Sequence, residues 1–147
     1  MIAGFHLFRV QGESMLPTLS HGDYVLVRDR KVSNRPPVRG DIVIATPEQR
    51  ERSILKRVVG LPSERIALTE GMLLINDERL AESYLRGLPP YLGLEDHEFA
   101  LGDHDYFVMG DNRAHSTDSR HYGPVRRAQI EGKVVCRVWP PLRWGIL

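Results

Sequence analysis

Apolar residues along this chain come in short clusters, rich in Val, Ile and Leu and broken by Gly, Pro, Asn and Asp. Runs of that length and type, bounded by turn residues, predict strands rather than helices. Tyr24–Arg28 is one such run, entered from the turn His21-Gly22-Asp23. Asn34–Gly40 is loop, because Pro36 and Pro37 supply no N–H to a ladder or a helix. Asp41–Ala45 and Ser53–Val59 are the next strands, closed by Pro47 and by Gly60 with Pro62. Arg65–Leu68 and Met72–Ile75 flank a Glu70-Gly71 turn, and Asn76-Asp77 is a second turn signal. Leu80–Leu85 fits a helical turn or a strand, and 87–105 reads as an exposed, loop-rich excursion. Tyr106–Met109 is a strand running into a polar loop, and Gln129–Trp139 is a last long strand. No amphipathic helix longer than two turns is found. The fold class expected is therefore mainly β, in a single domain over residues 1–147.

Composition narrows the function. Hydrophobic residues at 41% and charged residues at 27% place the chain among globular proteins. A formal net charge of +1 gives no bulk electrostatic case for nucleic acid. The single cysteine, Cys136, excludes an internal disulfide and a multi-cysteine zinc cage, and its place in Val134–Val138 reads as core packing. No stretch reaches the ~18 apolar residues of a membrane-spanning helix. The first eight residues are apolar but too short, and without a basic leader, for a signal peptide. The segment Val138–Leu147 holds both tryptophans, Trp139 and Trp144. It reads either as a tail packed back on the domain or as a contact with a membrane interface.

Three segments carry candidate chemistry. In Gly12–Leu19, Pro17 rules out a regular helix and shapes a loop around Ser14. In Ile54–Val59, strand alternation puts Ile54, Lys56 and Val58 on one face and Leu55, Arg57 and Val59 on the other. Both faces are apolar around a basic residue, as in a strand covered on both sides. Lost hydration lowers the pKa of such a lysine, and a neutral amine can take a proton from a serine hydroxyl. The alternative is a lysine reaching out to solvent from an edge strand. The third segment, Gly110–Gly123, is dense in Asp, Asn, Ser and Arg. Asp118 and Arg120 lie two apart, on one side of an extended chain. Plain turn chemistry is the alternative for this loop.

Together these segments resemble the bacterial type I signal peptidases, serine proteases that use a Ser–Lys pair. The matching motifs are Gly-x-Ser-Met-x-Pro-Thr-Leu at 12–19, Gly-Asp-Ile-Val at 40–43, Lys-Arg-Val-Val-Gly-x-Pro at 56–62, and Gly-Asp-Asn-Arg-x-x-Ser-x-Asp-Ser-Arg-x-x-Gly at 110–123. The resemblance spans about residues 8 to 139. It implies antiparallel sheets in a partly open, barrel-like core. It implies Ser14 as nucleophile and Lys56 as general base, with Ser116 as a hydroxyl orienting the lysine. Asp118 and Arg120 match a supporting ion pair, and Asp111 and Arg57 a second polar support. Val10, Met15, Leu19 and Ile54 fall at positions lining small apolar pockets, which would accept Ala-x-Ala cleavage sites. The oxyanion would be held by the Ser14 backbone N–H and a neighbour. Gly12 stands where some relatives have an additional hydroxyl.

No metal or cofactor is implied. The implied partners are signal-peptide-bearing preproteins, bound as an added extended strand, together with a membrane surface. The implied location is the extracytoplasmic face of the cell membrane, and a monomer is expected. Family members usually carry one or two membrane-spanning helices ahead of the nucleophile, whereas 13 residues precede Ser14. A catalytic fragment, a misassigned start and an anchorless form all fit that spacing. A second departure is Ser63-Glu64, where a Gly-Asp pair is common.

Rival readings are weaker. A self-cleaving repressor needs a DNA-binding module upstream. Ser53-x-x-Lys56 fits a penicillin-binding motif, but that motif belongs at a helix start. A Ser–His–Asp hydrolase using His115 or His121 with Asp118 lacks a Gly-x-Ser-x-Gly elbow. A family member that binds extended peptides without cutting them is opposed by the intact Ser14 and Lys56.

Overall fold

The computed structural model describes residues 3–85, 87–88, 93 and 95–147. Its regular structure is mainly twelve strands: β1 (Phe5–Arg9), β2 (Tyr24–Asp29), β3 (Ile42–Ala45), β4 (Ile54–Gly60), β5 (Arg65–Thr69), β6 (Met72–Ile75), β7 (Glu78–Arg79), β8 (His97–Ala100), β9 (Asp105–Met109), β10 (Val125–Arg126), β11 (Ile130–Trp139) and β12 (Gly145–Ile146). The α-helix, α1 (Ser119–Tyr122), is a single turn. The larger sheet runs β1-β2-β11-β3-β4-β9-β10, with β12 pairing β11, and every pairing is antiparallel. It curls into a half-barrel, the partly open architecture expected. The smaller sheet has the order β7-β6-β5-β8.

Each strand read from the sequence is present, within a residue or two at its ends. β5, β6 and β7 are joined by the two-residue turns Glu70-Gly71 and Asn76-Asp77. All four residues have positive φ, the geometry that matches the right-handed twist of a hairpin. β4 is buried from Leu55 to Gly60, so it is a central strand covered on both faces. Its last residues pack on the other side into the smaller sheet: Val59 joins Ile66, Leu68 and Phe107 in one apolar cluster. The half-barrel's own interior is a second cluster that includes Met15, Leu19, Val25 and Ile44.

Several elements differ from the sequence reading, for physical reasons. The apolar start is strand β1, registered on β2, and Phe8 packs against the half-barrel core rather than standing free. The segment read as an excursion, 87–105, contains β8, which pairs with β5, and the buried Leu101. Its apolar residues are spaced too thinly for a strand signal, and pairing with β5 supplies the order. Residues 86, 89–92 and 94 lie outside the described residues. Cys136 is not in the core. It is half-buried, opposite Leu26 on β2 and Ile146 on β12. The tail returns as β12, yet Leu142, Trp144 and Ile146 stay exposed.

Gly132, on β11 between β2 and β3, shows how closely the half-barrel is packed. A Cβ there would lie 2.7 Å from the Arg28 carbonyl oxygen and 2.7 Å from Val27 Cγ1. Backbone on one side and a buried valine on the other leave it no room. Gly132→Ala is expected to lower stability by about 1–3 kcal/mol, as overpacked cores do. Urea unfolding measures this, and an unchanged midpoint would contradict the packing described.

Candidate active site

The segment between β1 and β2 is a succession of turns anchored at two points. Met15 and Leu19 are fully buried in the half-barrel core. The Leu16 N–H donates to the Glu13 carbonyl at 3.1 Å and the Leu19 N–H to that of Met15 at 3.0 Å. Pro17 follows a cis peptide bond. This geometry leaves Ser14 half-exposed at the tip. The polar loop after β9 holds that tip from the other side. The Asn112 N–H donates to the Ser14 carbonyl at 3.0 Å, and its amide Nδ2 to the Glu13 carbonyl at 3.0 Å. Thr18 Oγ1 donates to Asp111 Oδ2 at 2.5 Å. Gly110 is required by this approach: a Cβ there would lie 2.5 Å from the Ser14 carbonyl oxygen and 2.2 Å from Ser116 Oγ.

Lys56 comes to the same place from β4, with Val43 of β3 directly opposite. It is only 6% exposed, and its Nζ lies 2.8 Å from Ser14 Oγ. The alternative of a solvated edge lysine is thereby excluded. Burial pushes its pKa down from 10.5 to about 8. The Asp118 carboxylate opposes that fall, and Arg50 and Arg120 add to it. A serine hydroxyl and an amine that loses its proton near neutrality, in hydrogen-bond contact, can form an alkoxide-like nucleophile with no third titrating group.

Two ion pairs flank the couple. Arg57 grips Asp111 with a fork, Nε to Oδ1 at 2.8 Å and Nη2 to Oδ2 at 2.7 Å, and its Nη1 donates to the Gly40 carbonyl. Arg120 grips Asp118 in the same way, at 2.8 and 2.9 Å. Burial works to raise the Asp118 carboxyl, but the Arg120 hydrogen bonds and charge overcome it and hold it below the usual carboxylate range. Asp118 and Arg120 are not on an extended segment. Asp118 caps α1, accepting from the Arg120 backbone N–H, and the single helical turn delivers the guanidinium. Asp118 also accepts from the Gly110 N–H at 2.9 Å and from Ser116 Oγ at 2.7 Å. Ser116 therefore spends its proton on Asp118. Among the described residues no hydrogen bond joins Ser116 to Lys56.

A cleft of about 460 Å³ opens beside Ser14 and Lys56, lined by Phe8, Val10, Met15 and Ile54, with Arg52 and Ser53 among its other walls. Val10, Met15 and Ile54 line this cleft, whereas Leu19 is 0% exposed and lies in the core rather than along it. The rival constellations do not form. Ser53 precedes a strand and hydrogen-bonds Glu131. His121 Nδ1 accepts from the Asp118 N–H as part of the helix cap, and His115 is exposed. Sequence reasoning missed Phe8, Thr18 and Arg52, and it gave Asn112 no role of its own. For Asn112 the signal was present, as an amide beside Asp111 in the longest motif.

Known proteins resemble this chain along most of its length. The family described as "Signal peptidase, peptidase S26" matches residues 1–139. The signal peptidase I of Leptolyngbya laminosa is 37% identical, covering 94% of this chain and 70% of that protein. The signal peptidase I of Bacillus caldolyticus is also 37% identical, covering 92% of this chain and 80% of that protein. Among solved structures, a signal peptidase I from Enterococcus faecalis superposes with a TM-score of 0.59 at 31% identity, covering 67% of this chain and 97% of that one. The fold, the family match and relatives that align along nearly the whole chain lead to one conclusion: this chain belongs to the signal peptidase I family, serine proteases that remove signal peptides.

Proposed function

We propose that this protein cleaves signal peptides with Ser14 as nucleophile and Lys56 as general base, after small residues in Ala-x-Ala sites. The observation that carries the reading is the 2.8 Å contact between a buried lysine and the serine hydroxyl. Neutral Lys56 takes the Ser14 proton as the oxygen attacks the scissile carbonyl. It then returns that proton to the leaving amine, and a water repeats the cycle on the acyl-enzyme. Among the described residues the Ser14 N–H has no protein acceptor, so it is available to the developing oxyanion. Gly12, with φ of +77° and its N–H bonded to His21 Nδ1, adds no side-chain donor there.

The substrate lies extended along the cleft, and the walls formed by Val10, Met15 and Ile54 favour small apolar side chains at the scissile site. Asp118–Arg120 and Asp111–Arg57 serve as positioning pairs. Ser116 acts through Asp118, as a support of the carboxylate that faces Lys56, and not by direct contact with the amine.

The enzyme works at a membrane surface. Register places Leu7, Leu26, Cys136 and Ile146 in one row across β1, β2, β11 and β12, with Arg9, Tyr24 and Trp139 in the next row on the same face. Leu7, Trp139, Trp144 and Ile146 are all more than half exposed. Such an aromatic-edged apolar face suits the headgroup zone. Among the described residues no helix is long and apolar enough to cross a membrane.

Three measurements test the reading. Ser14→Ala and Lys56→Ala are each expected to abolish cleavage of an Ala-x-Ala peptide while the circular dichroism of the β fold is kept. In the wild type, kcat/KM should rise about tenfold per pH unit below pH 8 and level off above it, as the neutral amine accumulates. A flat profile from pH 6 to 9 would count against a titrating lysine.

The same lysine makes a stability prediction. Its folded pKa lies below its ordinary value, so the native state resists the proton. The resulting penalty is fully present below about pH 8 and fades as pH climbs toward 10.5. Lys56→Met should therefore stabilise the protein at pH 6.5 by up to about 3 kcal/mol, with the gain shrinking by pH 9.5. A gap in urea midpoints that stays constant with pH would contradict this.

For the membrane face, Trp139→Ser with Trp144→Ser should reduce co-sedimentation with phospholipid vesicles at least severalfold and leave detergent-free peptide cleavage intact. Unchanged vesicle binding would remove that face from the reading.

A further inference from the structure

The two ion pairs flanking Ser14 and Lys56 are joined to two side chains that no motif marks, Glu82 and Tyr84. After β7 the chain makes a short 3-10 turn at Ser83–Leu85. From this segment, the Tyr84 ring lies under the Arg57 guanidinium, 4.0 Å from ring centre to Cζ. The Tyr84 hydroxyl donates to Glu82 Oε2. Glu82 in turn holds Arg113 by a fork, Nη1 to Oε1 at 3.0 Å and Nη2 to Oε2, with both side chains only 10% exposed. Arg113 Nε donates to the Gly110 carbonyl at 2.9 Å.

The connections close on the reacting atoms. Arg57 follows Lys56 in the chain and grips Asp111, which holds Thr18 of the nucleophile loop. Gly110, held by Arg113, lies against the Ser14 carbonyl with no room for a Cβ. One side chain thus touches the arginine beside the base, and its hydrogen-bond partner touches the arginine that fixes the nucleophile's support.

The charges balance within the cluster. Arg57 and Arg113 are met by Asp111 and Glu82, so a closed set of four leaves no net charge near the lysine. Burial pushes the Tyr84 phenol up, with Glu82 adding to the rise, so this hydroxyl stays a donor at any working pH. Burial works to lower Arg113, but Glu82 more than offsets it.

We propose that Glu82 and Tyr84 are positioning residues of the catalytic couple, a latch by which the smaller sheet fixes the Ser14–Lys56 distance. This rests on the Ser14–Lys56 reading above. Neither residue lines the cleft, so their loss acts on turnover and leaves substrate binding alone. Without the ring, Arg57 gains water and freedom, and Asp111 and Thr18 loosen with it. Without the Glu82 charge, the Arg113 fork is reduced to at most one neutral amide acceptor, and the Gly110 turn relaxes toward Ser14.

Steady-state kinetics on the purified chain, with one Ala-x-Ala peptide, test the latch. Tyr84→Leu and Glu82→Gln should each lower kcat at least tenfold while KM stays within about twofold. Tyr84→Phe, which keeps the ring under Arg57, should recover most of the loss. The folded fraction at assay temperature is read in parallel by near-ultraviolet circular dichroism. The Tyr84 pair decides the matter alone if Glu82→Gln does not fold. The latch is overturned if kcat falls only in step with the folded fraction, if KM moves in place of kcat, or if Phe is as damaging as Leu. Wild-type turnover by Ser14→Ala would instead bring down the reading beneath it, so the two failures are distinguishable.

Discussion

The structure depends on keeping one amine dry. Lys56 sits on a central strand with apolar neighbours on both sides, and among the described residues the one hydrogen-bond partner of its amine is the Ser14 hydroxyl. An ammonium in that position is poorly solvated, and the molecule responds by releasing its proton near neutrality. Chemistry and destabilisation are then the same fact. The burial that lowers the lysine's pKa also weakens the fold wherever the amine is charged. Extensive strand pairing around β4, to β3 on one side and β9 on the other, offsets that cost.

Holding the serine beside this amine is a separate problem, because Ser14 is on a loop. The solution is a loop clamped from below and from the side. Met15 and Leu19 lock it into the half-barrel core, while Asn112 and Asp111 bind its carbonyls and Thr18. Gly110 lets the two loops meet without a side chain between them. The two buried carboxylates of the site, Asp111 and Asp118, are fully satisfied: each takes an arginine fork and a hydroxyl, and Asp118 takes backbone N–H groups as well. Half-satisfied, such buried charges would loosen the site; satisfied, they make it rigid.

How much of this is legible in the sequence varies with its origin. The strands around the site are legible because β-branched runs end at Gly and Pro, as in Ser53–Val59 before Gly60. Ser14 and Lys56 are legible because their motifs carry fixed spacings. β8 is not, because His97–Ala100 has no apolar alternation and is ordered by pairing with β5. The Asp118–Arg120 pair is legible as a pair but not in its geometry. A spacing of two suggests an extended segment, whereas the Asp118 side chain nucleates a helical turn whose backbone N–H it captures. Leu19 was legible as apolar and close to the nucleophile, but nothing local separates a cleft wall from a core anchor. Glu82 and Tyr84 carry no motif and approach only through tertiary packing.

Electrostatic balance explains why burial decides the lysine's pKa. Asp118 alone would stabilise the ammonium and keep it charged, since it is the strongest opposing influence. Arg120 is bound to that same carboxylate by two hydrogen bonds, so its charge travels with the one it opposes. The pair presents the lysine with a small dipole rather than a full negative charge, and Arg50 adds a further push. Ser116 belongs to the same balance. By donating to Asp118 Oδ2 it draws negative charge away from the amine, so a residue that never touches Lys56 helps keep it ready to accept a proton. Desolvation sets the direction, and the ion pair beside it is built so as not to reverse it.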